Sequence, residues 1–172
     1  MKINNVKKQL AVFVMLFSMI SSYAQITKAE IIATGLTCSM CSNAINKQLK
    51  TLPEVEKVLI DLNNNTFMVT LKKNTAITPQ VLRANIEKAG FFVGSMVLTV
   101  QIDNTQKNNN GFKNTSGTYV LVDSKEDLDK DNIRVKVLNS GFVTKKEYKQ
   151  SAKMLSKYMT GAPADTYYVK TI

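Results

Sequence analysis

Residues 58–71, VLIDLNNNTFMVTL, have the hydrophobic pattern of two strands joined by a turn. Apolar residues occupy alternate positions on both sides of the stretch, which is the period of a half-buried strand. Three asparagines at positions 63–65 separate the two runs. Two alternating runs around an asparagine-rich turn predict a β-hairpin that packs one face against a core.

A helix is predicted on each side of this hairpin. Before it, residues 41–52 carry apolar side chains at helical spacing, and Pro53 ends the pattern. After it, Thr78 and Pro79 predict an N-cap followed by proline at the first helical position. Gly90 predicts the end of this second helix.

Short strands are predicted outside the two helices, at residues 31–33 and 91–100. The order is therefore β-α-β-β-α-β, which is that of a ferredoxin-like α+β sandwich. In this fold two helices cover one face of a four-stranded antiparallel sheet. We expect the other face of the sheet to remain more open to solvent.

The pattern weakens after residue 98. Residues 99–117 are rich in Asn, Gly and Thr and are predicted to be a linker or loop. Residues 118–172 are predicted to form a second small, β-rich α+β unit, in the form of a partly open barrel with a modest core. Its predicted elements are strands at 119–122, 132–138 and 167–172, and a helix that opens with a capping box at 144–147.

Residues 1–24 have the composition of a signal peptide. Lys2, Lys7 and Lys8 precede an apolar run of 11 residues, and small residues lie at the −3 and −1 positions of a cut after Ala24. A membrane span needs roughly 20 apolar residues, so an uncleaved anchor is the weaker alternative. We expect export to the periplasm or to the outside of the cell, and no stable membrane span after cleavage.

The charge and residue content exclude several functions. The formal net charge is +10, but the lysines are interpreted as scattered and no basic run exceeds two residues, so a solvated surface is favoured over nucleic-acid binding. The chain has no histidine, and therefore no Ser-His or Cys-His pair. No glycine-rich phosphate loop is present. We expect a protein that is not an enzyme.

Both cysteines of the chain lie in one loop, GLTCSMC, residues 35–41. The predicted helix starts at about Cys41, so this thiol lies near backbone N–H groups and the positive end of the helix dipole, which lower a thiol pKa. Two thiolates alone are an incomplete zinc site, because zinc usually takes four ligands. They suit soft ions of low coordination number: Cu(I) first, then Hg(II), Ag(I) or Cd(II).

The loop, the hairpin and the residues around Gly90 together resemble the heavy-metal-associated domain family. This family includes copper chaperones, the N-terminal modules of copper-transporting ATPases and the periplasmic mercury-binding protein. The resemblance covers residues 30–96, within a domain that we place at 25–98. The residues that carry it are Gly35, Thr37, Cys38, Cys41, Pro53, Val55, Ala89, Gly90 and Phe91.

The resemblance implies that Cys38 and Cys41 are the metal ligands. We expect Gly35, Thr37 and Ser39 to shape the loop, and we name Met40 and Phe91 as auxiliary candidates. The expected cargo is Cu(I), with Hg(II), Ag(I), Cd(II) or Zn(II) as alternatives. The expected partner is a metal donor or acceptor with exposed cysteines.

The sequence departs from the family pattern at two positions. Leu36 stands where the family usually has methionine, a swap that conserves side-chain volume. Glu54 replaces a turn glycine, which affects the turn more than the site.

Other interpretations of the cysteine pair remain open. An inert disulfide is compatible with export, and it would bind no metal. A thiol–disulfide oxidoreductase is disfavoured because the chain has no tryptophan and the motif has no proline. In a third alternative, residues 118–172 bind a partner while the first domain senses or delivers metal.

Overall fold

The computed structural model describes residues 25–102, 107–108, 110–122 and 132–172. The predicted signal peptide, residues 1–24, lies outside them. The described helices are α1 (Ser39–Lys50), α2 (Pro79–Lys88) and α3 (Lys145–Met159). The described strands are β1 (Gln25–Thr34), β2 (Val55–Asp61), β3 (Thr66–Leu71), β4 (Phe92–Gln101), β5 (Lys107–Asn108), β6 (Gly111–Asn114), β7 (Gly117–Leu121), β8 (Asn132–Val137) and β9 (Thr166–Thr171).

The first six elements form the predicted ferredoxin-like α+β sandwich. Strands β2, β3, β1 and β4 are neighbours in that order, and each adjacent pair is antiparallel. Helices α1 and α2 pack on one face of these strands. Their buried residues join the sheet residues in one core, in which Ile45, Leu49, Leu82 and Ile86 contribute from the helices.

The hairpin between β2 and β3 turns where the asparagines predict it. The carboxylate of Asp61 accepts hydrogen bonds from the backbone N–H of Asn63 (2.9 Å) and the side-chain amide of Asn64 (2.8 Å). The bond from the Asn64 side chain is the main cause that lowers the pKa of Asp61. Asn65 adopts the left-handed region, with φ of 51°, which asparagine tolerates better than most residues.

The sheet continues beyond β4, and this corrects the prediction of a partly open barrel. The strand order is β2-β3-β1-β4-β8-β9-β7-β6-β5 in one open sheet. Strand β8 pairs antiparallel with β4, from Val97 opposite Lys136 to Gln101 opposite Asn132. The prediction was wrong because it treated the C-terminal unit as a separate barrel. The free edge of β4 has unpaired backbone N–H and C=O groups, and β8 pairs with them instead.

The linker predicted at residues 99–117 also needs correction. Strand β4 runs through this boundary to Gln101, β6 occupies Gly111–Asn114, and β7 begins at Gly117. Phe112 is fully buried, and its ring stacks on that of Tyr119 with centroids 4.7 Å apart. One aromatic residue therefore anchors this polar stretch in the core. Residues 103–106 and 109 of the predicted linker lie outside the described part of the chain.

Helix α3 covers the face of the sheet opposite to α1 and α2. Successive residues of β9 point to opposite faces: Tyr167 belongs to the main core, whereas Tyr168 packs with Leu155 of α3 in a second cluster. The two halves thus share one sheet but are covered from opposite sides. In the described parts of the chain, no helix combines the length and the apolar character that crossing a membrane requires.

Half of the capping box predicted for α3 is present. The hydroxyl of Thr144 accepts a hydrogen bond from the backbone N–H of Glu147 at 3.2 Å. The carboxylate of Glu147, however, pairs with the Lys136 ammonium at 2.6 Å. This corrects the expected reciprocal bond, because the ion pair between α3 and β8 engages the glutamate instead.

Candidate metal centre

The cysteine loop begins where β1 ends at Thr34. Gly35 has φ of +87°, in the left-handed region that favours glycine. A Cβ atom at this position would lie 3.9 Å from the Phe91 ring, so the backbone conformation, rather than space, selects glycine. Leu36, the residue that departs from the family pattern, is partly buried against the main core. Gly35 and Leu36 together turn the chain and attach the loop to the fold.

Cys38 is the N-cap of α1, and Cys41 lies in its first turn. The helix starts at Ser39, two residues before the predicted start. The Cys38 backbone is extended, with φ of −156°, and its carbonyl accepts a hydrogen bond from the N–H of Cys41 at 3.1 Å. The Cys38 side chain makes no capping hydrogen bond. Its sulfur therefore remains available while the backbone holds the two cysteines in one turn.

The sulfur atoms of Cys38 and Cys41 lie 3.0 Å apart. Both cysteines are free, because a disulfide bond would bring the sulfurs to about 2.05 Å. Cys38 is exposed and Cys41 is half-buried. Two metal–sulfur bonds of about 2.3 Å in a linear arrangement would separate the sulfurs by about 4.6 Å, which is about 1.6 Å more than in the structure. Because Cys38 is exposed, rotation of its side chain towards solvent can provide this difference.

The Cys41 thiol ionises near neutral pH. The side chain of Cys38 is the largest cause that lowers the pKa of Cys41 to about 7, followed by a backbone hydrogen bond from Thr37. The Thr37 hydroxyl lies 4.0 Å from the Cys41 sulfur and adds a smaller effect of the same sign. The lowered pKa increases the share of Cys41 that is thiolate at neutral pH, and the thiolate is the form that binds metals.

The surroundings supply few further ligands. Across the described residues, no group of three or more His, Cys, Asp and Glu side chains is arranged to hold a metal ion. The first turn of α1 has no acidic residue, and its basic residues, Lys47 and Lys50, lie in the last turn. The donor set is therefore two thiolates at a helix N-terminus, which fits soft ions that accept two or three ligands.

The structure separates the remaining predicted site residues by role. Ser39 is exposed at the start of α1. Met40 is 81% exposed, between the two cysteines. Phe91 is half-buried, packs against the main core and lies beneath Gly35. Phe91 thus supports the loop, whereas its neighbour Phe92 is 67% exposed.

The sequence interpretation missed the contribution of the C-terminal half to this region. A groove of about 550 Å³ lies between the end of β1, the start of β4 and the start of α3, with Thr34 and Phe92 on one side and Thr144 and Tyr148 on the other. No local pattern predicts this approach, because it depends on the pairing of β4 with β8. The lysines of α3, however, could have been found from the sequence. Four of them recur at intervals of four residues, which is a helical spacing, so the interpretation of the lysines as scattered was wrong for this helix.

The described fold is ferredoxin-like, and the site is a two-cysteine loop at the N-terminus of α1. The family model of the heavy-metal-associated domain matches residues 30–92, within the stretch that the resemblance covers.

A curated relative and two solved structures illustrate the similarity. The probable copper-transporting ATPase HMA5 of Arabidopsis thaliana is 33% identical over 66 residues, which are 38% of this chain and 6% of that protein. The yeast copper transporter domain Ccc2a, solved in apo and Cu(I)-loaded states, is 35% identical, with a TM-score of 0.34, over 38% of this chain and 88% of that one. The N-terminal domain of a potential copper-translocating P-type ATPase from Bacillus subtilis is 27% identical, with a TM-score of 0.35, over 39% and 82%.

Proposed function

We propose that this protein binds one Cu(I) ion through Cys38 and Cys41 and exchanges it with a partner protein. The observation that carries the proposal is the pair of sulfurs 3.0 Å apart at the N-terminus of α1, with Cys38 exposed to solvent. A site built from four consecutive residues requires no distant ligand. An exposed ligand allows a second protein to reach the ion.

The preference for Cu(I) follows from the number and softness of the ligands. Two thiolates complete the coordination of Cu(I), whereas Zn(II) usually needs four ligands. The similarity to a probable copper-transporting ATPase supports the same cargo. The other soft ions, Hg(II), Ag(I) and Cd(II), are alternative cargoes of the same thiolate pair, and Zn(II) would have to take further ligands from solvent or from the partner.

Transfer would proceed by exchange of thiolates around the ion. A cysteine thiolate of the partner attacks bound Cu(I) and forms a three-coordinate state, after which one original sulfur leaves; a second partner thiolate then displaces the other sulfur in the same way. Each partner thiol loses a proton to become the attacking thiolate, and each departing cysteine takes up a proton when it is released. Copper stays Cu(I) throughout, so the exchange needs no oxidant or reductant. Because Cys38 is the more exposed ligand, we expect it to leave first.

The proposal includes export and a role without catalysis. Residues 1–24 have the composition of a signal peptide, so we place the mature chain in the periplasm or outside the cell. The partner would be a metal donor or acceptor with exposed cysteines. The family model that matches residues 30–92 describes metal-binding modules and supports a carrier rather than an enzyme.

Competition for copper tests this function. The reduced chain, residues 25–172, is titrated with Cu(I) in the presence of bicinchoninate, and bound copper is counted per chain. We expect one Cu(I) per chain, and loss of this binding in the variant Cys38→Ser/Cys41→Ser. Asn43→Ser is the matched control, because Asn43 is exposed on α1, two residues beyond Cys41. Equal copper retention by the double variant would overturn the proposal.

A thiol–disulfide oxidoreductase is the second candidate function. The short distance between the sulfurs and the lowered pKa of Cys41 favour it, since both promote disulfide exchange. Such an enzyme would reduce insulin, and its potential would fall between about −120 and −270 mV. For a copper carrier we expect no insulin reduction above the background of the Cys38→Ser/Cys41→Ser variant.

A further inference from the structure

The groove beside the metal loop is built by both halves of the chain. Its volume is about 550 Å³, and its walls are largely apolar. Phe92 and the buried Val93 line it from β4, and the buried Val143 and half-buried Tyr148 line it from the loop before α3 and from α3 itself. Exposed aromatic surface beside a concave apolar wall is typical of a site that receives another molecule.

This groove is directly connected to the cysteine loop. Thr34, the last residue of β1 and four residues before Cys38, lines the groove and pairs with Phe92. The Thr34 hydroxyl donates a hydrogen bond to the Phe92 carbonyl at 3.3 Å. A Cβ atom at Gly94 would lie 2.5 Å from the Thr34 methyl group and 3.9 Å from that of Thr144. The glycine thus leaves room for the Thr34 side chain, and the start of α3 lies within van der Waals distance of the same position.

A row of lysines runs along α3 from the edge of this groove. Lys145 and Lys149 line the groove, and Lys153 and Lys157 continue the row at intervals of four residues. Glu87 also lines the groove, and its carboxylate pairs with Arg83. Lys146 flanks the row, and all five side chains are exposed. The helix has a single acidic residue, Glu147, whose carboxylate pairs with Lys136 of β8.

Such a row is unfavourable for the isolated helix. Like charges four residues apart on a helix repel each other, and no acidic side chain of α3 is free to compensate them. An anionic partner would remove this repulsion. The row therefore has the charge pattern of a surface that binds a negatively charged molecule.

We propose that this groove and lysine row form the docking surface for an acidic protein, and, on the proposed function, that this protein is the partner in Cu(I) exchange. An apolar side chain of the partner fills the groove against Phe92, and its carboxylates face Lys145 and Lys149. The partner's cysteines are thereby held beside Cys38. An anionic membrane would use the lysines alone and leave the groove unoccupied, so a protein accounts for both features.

Peptide binding tests the surface separately from the metal. The chain is residues 25–172 with Cys38→Ser/Cys41→Ser, so that copper plays no part. The probe is a fluorescent synthetic peptide of Asp, Glu and Ser with one central Phe, and the control peptide replaces the acids by Asn and Gln. We expect saturable binding of the acidic peptide that weakens as salt rises from about 50 to 300 mM, and no binding of the control peptide.

Two pairs of variants locate the binding site. Lys145→Gln/Lys149→Gln should weaken binding roughly fivefold or more, whereas Lys47→Gln/Lys50→Gln removes the same charge from α1 and should change it less than about twofold. Phe92→Ser should weaken binding by a similar factor, whereas Leu59→Ser, on an exposed residue of β2, should not.

Three results would overturn this proposal. The first is equal binding by the two lysine variants, because the row would then have no special role. The second is an unchanged affinity in Phe92→Ser. The third is retention on phosphatidylglycerol vesicles with no peptide binding, which would indicate a membrane surface. None of these results depends on copper. Loss of copper binding alone would contradict the proposed function and leave the docking surface intact.

Discussion

The guanidinium of Arg83 on α2 lies over the ring of Phe142, with its central carbon 5.3 Å from the ring centroid. Arg83 also donates a hydrogen bond to the Ser140 carbonyl at 3.2 Å and forms an ion pair with Glu87 at 3.2 Å. Phe142 is buried and stacks edge-on against Tyr167 of β9. One side chain of the metal-binding half therefore holds the loop that leads to α3.

We expect Arg83→Ala to lower the free energy of unfolding by about 1–2 kcal/mol, because it removes a cation–π contact and a hydrogen bond to a backbone carbonyl. Urea unfolding measures the change. Arg134→Ala is the control: its side chain bridges to Glu30 at 3.0 Å on the surface, with both side chains well exposed. Such a pair contributes less than about 1 kcal/mol. If Arg134→Ala lowered the free energy of unfolding more than Arg83→Ala, the stabilising role of Arg83 would be contradicted.

Gly35→Ala should weaken both the fold and the metal site. Alanine at φ of +87° costs about 1–2 kcal/mol of unfolding free energy, and relief of this strain would displace the start of the cysteine loop. Gly161→Ala is the matched control, since Gly161 has φ of +75° and no atom within 4 Å of an added Cβ. Both variants should lose similar stability in urea, but only Gly35→Ala should lose Cu(I) affinity. Equal copper affinities would argue against loop displacement.

The reactivity of Cys41 should rise as pH increases through about 7. The lowered pKa means that the thiolate forms above this pH and is lost below it, and the thiolate is the nucleophile. Alkylation by iodoacetamide, followed by peptide mapping, gives the midpoint for Cys41. Cys38→Ala should move the midpoint up towards about 8.5, because it removes the side-chain hydrogen bond that is the largest cause of the shift. Thr37→Val should move the midpoint less, and an unmoved midpoint in Cys38→Ala would refute this cause.

Tyr119 should make the fold sensitive to alkaline pH. Burial raises the pKa of its hydroxyl well above 10, and the nearby Tyr167 raises it further. The neutral form therefore stabilises the fold fully below pH 10, and this contribution is lost as pH rises above that value. Urea unfolding measured from about pH 8 to pH 11 should show that the free energy of unfolding falls less with pH in Tyr119→Phe than in the parent chain. Tyr158→Phe, at a residue 37% exposed, should follow the parent.

Met40→Leu should leave Cu(I) affinity within about threefold of the parent, because the Met40 side chain is 81% exposed and two thiolates suffice for Cu(I). Competition with bicinchoninate measures the affinity. A tenfold loss would instead identify the thioether as a third ligand. Met68→Leu, a methionine on β3 that is 42% exposed, controls for the loss of a thioether elsewhere on the surface.

Local chemistry explains why the first half was predictable. Alternation at residues 58–71 predicted β2 and β3, and Thr78 with Pro79 predicted the start of α2. Strand β1 was predicted at only three residues, yet it covers ten, Gln25–Thr34. Its extra length comes from pairing with β3 on one side and β4 on the other, and both partners lie far along the chain.

The second half was less predictable because its contacts are not local. The 99–117 stretch is polar in composition, but Phe112 anchors part of it by stacking on Tyr119. Glu147 has the position of a capping residue, yet an ion pair with Lys136 engages its carboxylate. In the first case a contact between two strands overrode the local pattern, and in the second a contact between a helix and a strand did so.

The sequence by itself determined the order of the first six elements and the position of two thiols within one helical turn, because hydrophobic period, caps and a two-residue spacing act over a few neighbouring residues. Only the tertiary structure decided that β8 would extend the sheet and that α3 would begin beside Thr34 and Phe92. Backbone groups at a strand edge accept any strand of suitable shape and pattern. The choice among them depends on the packing of the whole sheet, which no short stretch of sequence contains.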